Sequence, residues 1–141
     1  MNDRFKFRVF DYDDNKMHDV IEIMYREDNT VVEWLNSEDK KRSAFIGEVP
    51  TVQCTGLKDK NGKLIYEGDI VDIWKMAGNI HKRMVVKWYQ PQCSFRLFDL
   101  SAMGATPQKM VDKRSLGAVT TIEVIGNIYE NKELIEEYKD E

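Results

Sequence analysis

The chain has 141 residues, 42% of them hydrophobic and 11% aromatic, which is enough to bury a core and excludes a disordered polymer. The formal net charge of −4 comes from the acidic last twelve residues, so the balanced remainder neither requires nor excludes a polyanionic partner. No apolar run approaches the roughly 20 residues that span a bilayer, and two distant cysteines without a CxxC spacing, with no signal peptide expected, favour a reduced cytoplasmic setting.

The first part of the chain predicts a β-meander. Its first strand has one apolar and one basic face, formed by Phe5, Phe7 and Val9 and by Arg4, Lys6 and Arg8. A polar turn at 11–15 leads to a return strand at 17–25, and a β-branched run begins the next strand at Thr30. Residues 35–43 have no apolar pattern and are predicted to form an exposed loop.

Residues 53–71, QCTGLKDKNGKLIYEGDIV, contain the strongest turn signals in the chain. Asn61-Gly62 is the pair favoured where both central residues of a turn have positive φ. Gly68-Asp69 permits a sharp bend before a buried strand at 69–74. We therefore expect a strand at 51–55, a tight turn at 58–63 and a second strand after the bend.

Further strands are predicted at 81–89, 94–98 and 120–129, with a break at Gly78-Asn79, a turn at Pro91-Gln92 and a short helix around 108–113. Asn131 is placed to cap a C-terminal helix that presents Leu134, Ile135 and Tyr138 on one side. The pattern predicts a mainly β fold: an N-terminal meander, a small SH3-like barrel over Thr51 to Tyr129 and a closing helix. We expect a single domain, 1–141, with lobes 1–48 and 49–141 as the alternative.

Three segments carry a family resemblance: FKFRVFDYDDNKM at 5–17, TGLKDKNGKLIYEGDIV at 55–71 and VIGNIYENKELI at 124–135. With these segments in this order, the chain resembles the YopX family of small proteins from phages and prophages of low-GC Gram-positive bacteria. The resemblance implies a mainly β, YopX-like fold and an association with phages. It implies no activity, so no catalytic residue can be transferred.

The turn after the first strand has the spacing of a calcium-binding loop. Its oxygen-bearing side chains occupy positions 1, 3, 5, 9 and 12 of an EF-hand, as Asp11, Asp13, Asn15, Asp19 and Glu22. Lys16 occupies the position that needs glycine, and strands flank the loop where the motif needs helices. We interpret the cluster as a hairpin turn whose side chains bond their own backbone, and we predict no metal site.

Basic residues on two predicted strands are the candidate nucleic-acid contacts: Arg4, Lys6, Arg8, Lys82, Arg83 and Lys87. Such rows can follow a phosphate backbone, particularly beside aromatic rings. The alternative is that they pair with acidic side chains on neighbouring strands, such as Asp19 and Glu22.

Signals for catalysis are weak. The two histidines, His18 and His81, lie in alternating strand contexts, and Cys54 and Cys93 are expected to be inert thiols. Glu67 and Asp69 flank Gly68 and are expected to cap backbone amides rather than to act as an acid and base pair. We predict no cofactor and no enzymatic activity.

The sequence favours an accessory or protein-interaction protein encoded by a phage, with a second copy of itself or a phage or host protein as its partner. The competing hypothesis is a nucleic-acid-binding module that uses the basic strand faces. No membrane partner is expected.

Overall fold

The computed structural model describes residues 2–75, 80–100 and 121–139, which form two antiparallel sheets and an α-helix. The predicted mainly β fold with a short C-terminal helix is confirmed. The predicted break at Gly78-Asn79 and the predicted helix around 108–113 lie outside the described residues.

The first sheet has six strands in the order β4-β3-β2-β1-β5-β6. Their bounds are β1 Phe7–Asp11, β2 Lys16–Tyr25, β3 Thr30–Leu35, β4 Lys41–Phe45, β5 Thr51–Lys58 and β6 Leu64–Tyr66. The predicted hairpin is confirmed, with Arg8 opposite Asp19 and Val9 opposite His18. The short strand β6 was not predicted; it pairs with β5 through Cys54 and Tyr66.

The second sheet has four strands in the order β10-β7-β8-β9. These strands are β7 Asp69–Lys75, β8 Ile80–Tyr89, β9 Ser94–Asp99 and β10 Thr121–Asn127, and the helix α1 is Lys132–Lys139. As predicted, Leu134 and Ile135 of α1 pack on the sheet, against a cluster that contains Ile70 and Val85. Within the described residues, no helix is long and apolar enough to cross a membrane.

Two β-bulges explain apolar runs that do not alternate strictly. In β2 the register with β3 shifts between Val20 and Glu22, so Val20 and Ile23 both pack in one core cluster while Ile21, the extra residue, stays exposed. In β10 the register with β7 shifts between Val124 and Gly126. The bulges thereby bring Val20 and Ile23 of β2 to one core cluster, and the neighbours Val124 and Ile125 of β10 to two different clusters.

The predicted start of the first strand was wrong. Residues Asn2–Phe5 form a 3₁₀ turn, closed by a hydrogen bond from the amide of Lys6 to the carbonyl oxygen of Asp3, and β1 begins at Phe7. The Lys6 ammonium lies 3.0 Å from the Asp3 carboxylate and reinforces this turn. Arg4 is therefore not on the strand, and Phe5 is exposed instead of lying on an apolar strand face.

The predicted loop at 35–43 is only partly a loop. Asn36 closes a tight turn, because its side-chain oxygen accepts hydrogen bonds from the amides of Glu38 and Lys40. The chain then returns as β4, paired with β3 so that Trp34 faces Arg42. An edge strand with exposed side chains needs no apolar alternation, which is why the pattern did not reveal it.

Two details of the predicted turns were also wrong. Gly62 has a φ of +81°, but Asn61 is not among the residues with positive φ, so only one residue of the Asn61-Gly62 pair is left-handed. The Asn131 side chain accepts a hydrogen bond from the amide of Asn127 instead of capping an amide of α1. Both residues still lie at turns, as expected.

Glu67 and Gly68 form the junction between the two sheets. The Glu67 amide donates to the carbonyl oxygen of Gln53 in β5, at 2.9 Å. The Gly68 amide donates to Val86 in β8, at 2.7 Å, and its carbonyl oxygen accepts from Ile128, just after β10, at 2.9 Å. Gly68 has a φ of +88°, and a Cβ atom there would lie 3.1 Å from the ring of Tyr129.

We expect Gly68→Val to abolish the cooperative thermal unfolding transition. Left-handed backbone strain costs a side chain about 1–2 kcal/mol, and at Gly68 the added methyl groups would also displace Tyr129 from the junction. The measurement is circular dichroism during heating.

Gly47→Val is the matched control, because Gly47 has a φ of +98° and open space around its Cα. The control should lose only the free energy of the left-handed backbone strain, about 1–2 kcal/mol. Equal losses for the two variants would contradict the role given to the junction.

Candidate functional site: an open groove between the sheets

An open groove of about 990 Å³ lies between the N-terminal 3₁₀ turn and β5 on one side and the β8–β9 hairpin on the other. Sites for ligands of drug size are commonly about 300–1,000 Å³. The groove is formed by three segments that are far apart in the sequence: 4–5, 53–57 and 88–95.

Aromatic and aliphatic side chains form most of the groove wall. Phe5 is 71% exposed and Trp88 is 41% exposed, although both are large apolar residues. Trp88 meets the ring of Phe95 edge-on, with 5.1 Å between the ring centroids, and Leu57 adds an aliphatic surface. The groove therefore offers accessible ring surface, which a folded chain usually buries.

Of the described residues that line the groove, Arg4 is the one with a charge. Its aliphatic stem lies across Gly56, where a Cβ atom would come within 2.5 Å of the Arg4 Cγ atom. Gly56, with a φ of +84°, thus leaves room for the stem to lie against β5. Among the described residues, the Arg4 guanidinium has no hydrogen-bond or ion-pair partner.

The other polar side chains of the groove wall already have partners within the chain. The Gln53 side-chain amide donates to the carbonyl oxygen of Arg4, at 2.7 Å, and the Thr55 hydroxyl donates to that of Ile65, at 2.8 Å. The Trp88 indole N–H donates to Gln90, at 2.6 Å, and the Ser94 hydroxyl accepts from Arg96, at 2.8 Å. Among the described residues, Arg4 is the one polar side chain of this wall without a hydrogen-bond or ion-pair partner within the chain.

The six candidate nucleic-acid contacts do not come together. Arg4 lies in the 3₁₀ turn, Lys6 lies between that turn and β1, and Arg8 lies on β1 of the first sheet. The other three, Lys82, Arg83 and Lys87, lie on β8 of the second sheet.

Several of these cations are paired. Lys6 pairs with Asp3, Arg83 with Asp72 at 3.2 Å, and Arg8 with Asp19 at 3.0 Å. The Arg8 guanidinium also lies 4.1 Å from the centre of the Tyr66 ring. The expected cross-strand pairing with Asp19 is thus present, and nucleic-acid contact by these residues stays a prediction.

The acidic turn after β1 brings Asp11, Asp14 and His18 together, with potential ligand atoms within 4.8 Å of one another. The Asp11 oxygens accept hydrogen bonds from the Asp13 amide and, at 2.9 Å, from the Trp34 indole. The Asp14 oxygens accept from His18, from the amide and hydroxyl of Ser37, and from the Lys16 amide.

The residues with EF-hand spacing do not converge on one point but bond to different partners. Asp13 pairs with Arg42, Asp19 pairs with Arg8, and strands flank the turn on both sides. Burial would raise the pKa of Asp14, but its hydrogen bonds with Ser37 and His18 outweigh burial and lower the pKa to about 2. A cation would have to replace these bonds, so the cluster fits a structural clamp that fixes the turn to β3 and to Ser37.

The cysteines and the carboxylates beside Gly68 occupy separate places. Cys54 is buried and Cys93 is an exposed thiol at the rim of the groove; both are free. Burial raises the pKa of Glu67, whose carboxylate accepts the Trp88 amide. Burial also raises the pKa of Asp69 to about 7, although its carboxylate accepts the Tyr66 amide at 2.8 Å. Glu67 and Asp69 thus bond backbone amides, as predicted.

We expect Asp69→Asn to stabilise the protein above pH 7. Because the folded-state pKa of Asp69 is raised, its stabilising contribution is complete below the unfolded value of 3.8 and is lost as the pH rises through about 7. A shift of this size corresponds to at most on the order of 4 kcal/mol. Urea unfolding from pH 4.5 to 8.5 should show a flatter pH dependence for the asparagine variant.

Asp59→Asn is the control, because the pKa of Asp59 is shifted in the opposite direction to that of Asp69. Burial opposes ionisation of Asp59, but amide hydrogen bonds from Val124, Lys63 and Asn61 outweigh it and lower the pKa. Its stabilising contribution is present above the unfolded pKa of 3.8 and is lost on acidification, so urea unfolding of this variant is followed to below pH 3.8. If Asp69→Asn left the pH dependence unchanged, Asp69 would not titrate as described.

Sequence reasoning missed most of the groove. It identified Arg4, but as part of a basic strand face; it assigned Phe5 to an apolar strand face and placed Trp88 only within the predicted strand at 81–89. The one local signal in the sequence was a phenylalanine, Phe5, directly after an arginine and close to the start of the first strand.

The family model described as YopX protein matches residues 6–136. The fold is similar to that of protein EF1440 from Enterococcus faecalis, with 22% identity, a TM-score of 0.56, and coverage of 92% of this chain and 96% of that chain. Protein YopX from Bacillus subtilis is similar over 93% of this chain and 98% of its own, with 19% identity and a TM-score of 0.54. A comparison with curated proteins found no match.

Proposed function

The chain belongs to the YopX family, and we propose that it is a phage-encoded accessory protein that binds a segment of another protein and catalyses no reaction. The bound segment is apolar, carries one acidic side chain and occupies the groove between the N-terminal 3₁₀ turn and the β8–β9 hairpin. The observation that carries this proposal is the unpartnered Arg4 guanidinium beside the exposed rings of Phe5 and Trp88.

The charge of the groove selects an acidic ligand. Arg4 contributes the one charge of the described wall, and its planar guanidinium can bind a carboxylate through two parallel hydrogen bonds. The Arg4 stem already packs across Gly56, so part of its side-chain freedom is lost before a carboxylate binds.

The hydrogen-bonding state of the wall favours a peptide over a nucleic acid. Nucleobases carry several donors and acceptors that need partners when they leave water, and Gln53, Thr55 and Ser94 already bond within the chain. A polynucleotide would also bring one phosphate per nucleotide to a wall whose described residues supply one free cation. Leucine or phenylalanine side chains need no polar partners and gain from contact with Phe5, Leu57 and Phe95.

Two further observations support the absence of catalysis and a cytoplasmic location. Among the described residues, the clustered titratable groups at Asp11, Asp14 and His18 are engaged in structural hydrogen bonds. The free thiols of Cys54 and Cys93 suit a reducing compartment.

The test is binding to an immobilised library of random twelve-residue peptides. We expect the bound peptides to be enriched in Asp or Glu next to Phe, Trp or Leu. Arg4→Glu should weaken binding of a selected peptide at least tenfold, about 1.4 kcal/mol, and Phe5→Ala should weaken it severalfold.

Matched controls change the same residue types outside the groove. Arg26→Glu reverses an exposed arginine, and Tyr25→Ala removes an exposed ring; both should leave peptide binding unchanged. The proposal fails if no acidic and apolar peptides are enriched, or if Arg4→Glu and Phe5→Ala bind as the unaltered protein does. Binding of oligothymidylate that depends on Arg4 and Phe5 would show that the ligand of the groove is single-stranded nucleic acid and not a peptide.

A further inference from the structure

Strand β4 is an edge of the six-stranded sheet, and its outer side is open among the described residues. The amide of Ile46 donates to Thr30, and the carbonyl oxygen of Lys40 accepts from Asn36. Hydrogen-bonded pairs alternate with non-bonded pairs in antiparallel sheets, so Arg42 and Ala44 bond to β3. The backbone groups of Lys41, Ser43 and Phe45 therefore point outward.

The outward groups are available for a further strand. One of them is used within the chain, since the Phe45 carbonyl oxygen accepts from the amide of Glu48, at 3.0 Å. A carbonyl oxygen has two lone pairs and can accept again. Phe45 and the adjoining Ile46 are each 45% exposed, so a strand beside β4 would also cover apolar surface.

Charges that usually protect an edge strand are neutralised here. Lysines on an edge discourage pairing with other chains. Lys40, however, pairs with Glu38 at 3.2 Å, Lys41 lies 3.9 Å from Glu33, and Arg42 pairs with Asp13. The edge therefore has outward-pointing backbone groups, and the three cations beside them are each paired with an acidic side chain.

We propose that β4 pairs antiparallel with β4 of a second copy, across a two-fold axis at Ser43. In this register all three outward residues are used: Ser43 faces Ser43, and Lys41 faces Phe45. Arg42 faces Ala44 on the other side of the sheet, so no like charges lie directly opposite each other, an arrangement that would be destabilising. A register centred on Arg42 would place two arginines face to face.

The charge arrangement favours a second copy as the occupant. Each cation of one β4 lies opposite an apolar side chain of the other, and the lysine stem can cover the exposed ring of Phe45. The interface is isologous and closes as a dimer. It is separate from the groove, so it does not depend on the proposed peptide binding.

Sedimentation equilibrium over a concentration series should reveal a dimer of the full chain. Ser43→Pro removes an outward amide while keeping the hydrogen bonds to β3, and should weaken the dimer at least tenfold. Phe45→Lys should do the same, because it places a second ammonium directly opposite Lys41 of the partner subunit. Ile21→Lys is the matched control, since Ile21 is 53% exposed on the inner strand β2, and its dimer should be unchanged.

Cross-linking tests the register even if a variant folds poorly. In a Cys93→Ser background, Ser43→Cys should be joined to its partner by a short bismaleimide, whereas Ile21→Cys should not. A monomer at every concentration would overturn the proposal. A dimer that survives both Ser43→Pro and Phe45→Lys, without cross-linking at position 43, would place the interface elsewhere and also overturn it.

Discussion

The backbone of Gly68 joins the two sheets, and the placement of both depends on it. Its amide bonds to β8 and its carbonyl oxygen to Ile128, while the preceding amide bonds to β5. Unpaired backbone groups are costly in a protein interior, so the chain can cross between sheets here only because each group finds a partner. The left-handed φ and the contact with Tyr129 restrict this position to glycine.

A second link between the two sheets lies at the turn of the β5–β6 hairpin. One oxygen of the buried Asp59 accepts the amides of Asn61 and Lys63 within its own turn. Its other oxygen accepts the Val124 amide in β10, at 3.0 Å, and the Lys60 amide donates to Ile122. The turn at 59–63 thus contacts β10 directly, and the most distinctive segment of the sequence serves to hold the two sheets together.

The sequence predicted those features that depend on neighbouring residues. The β1–β2 hairpin, the alternation in β8 and the bend at Gly68 follow from local periodicity and turn chemistry. Strand β4 was missed because exposed edge residues carry no apolar pattern, and the bulges at Ile21 and Ile125 depend on partner strands. The groove could not be predicted, since its wall combines residues 4–5 with 53–57 and 88–95.

The long sequence separation of the Asp59 and Val124 contact affects how the chain folds during synthesis. The two residues are 65 positions apart, and β10 is the last of the described strands. Contacts between distant residues slow folding, and β10 leaves the ribosome after the other nine described strands. Until β10 has been synthesised, the edge of β7 that it covers stays unpaired. A chaperone or another nascent chain can bind that edge during this period.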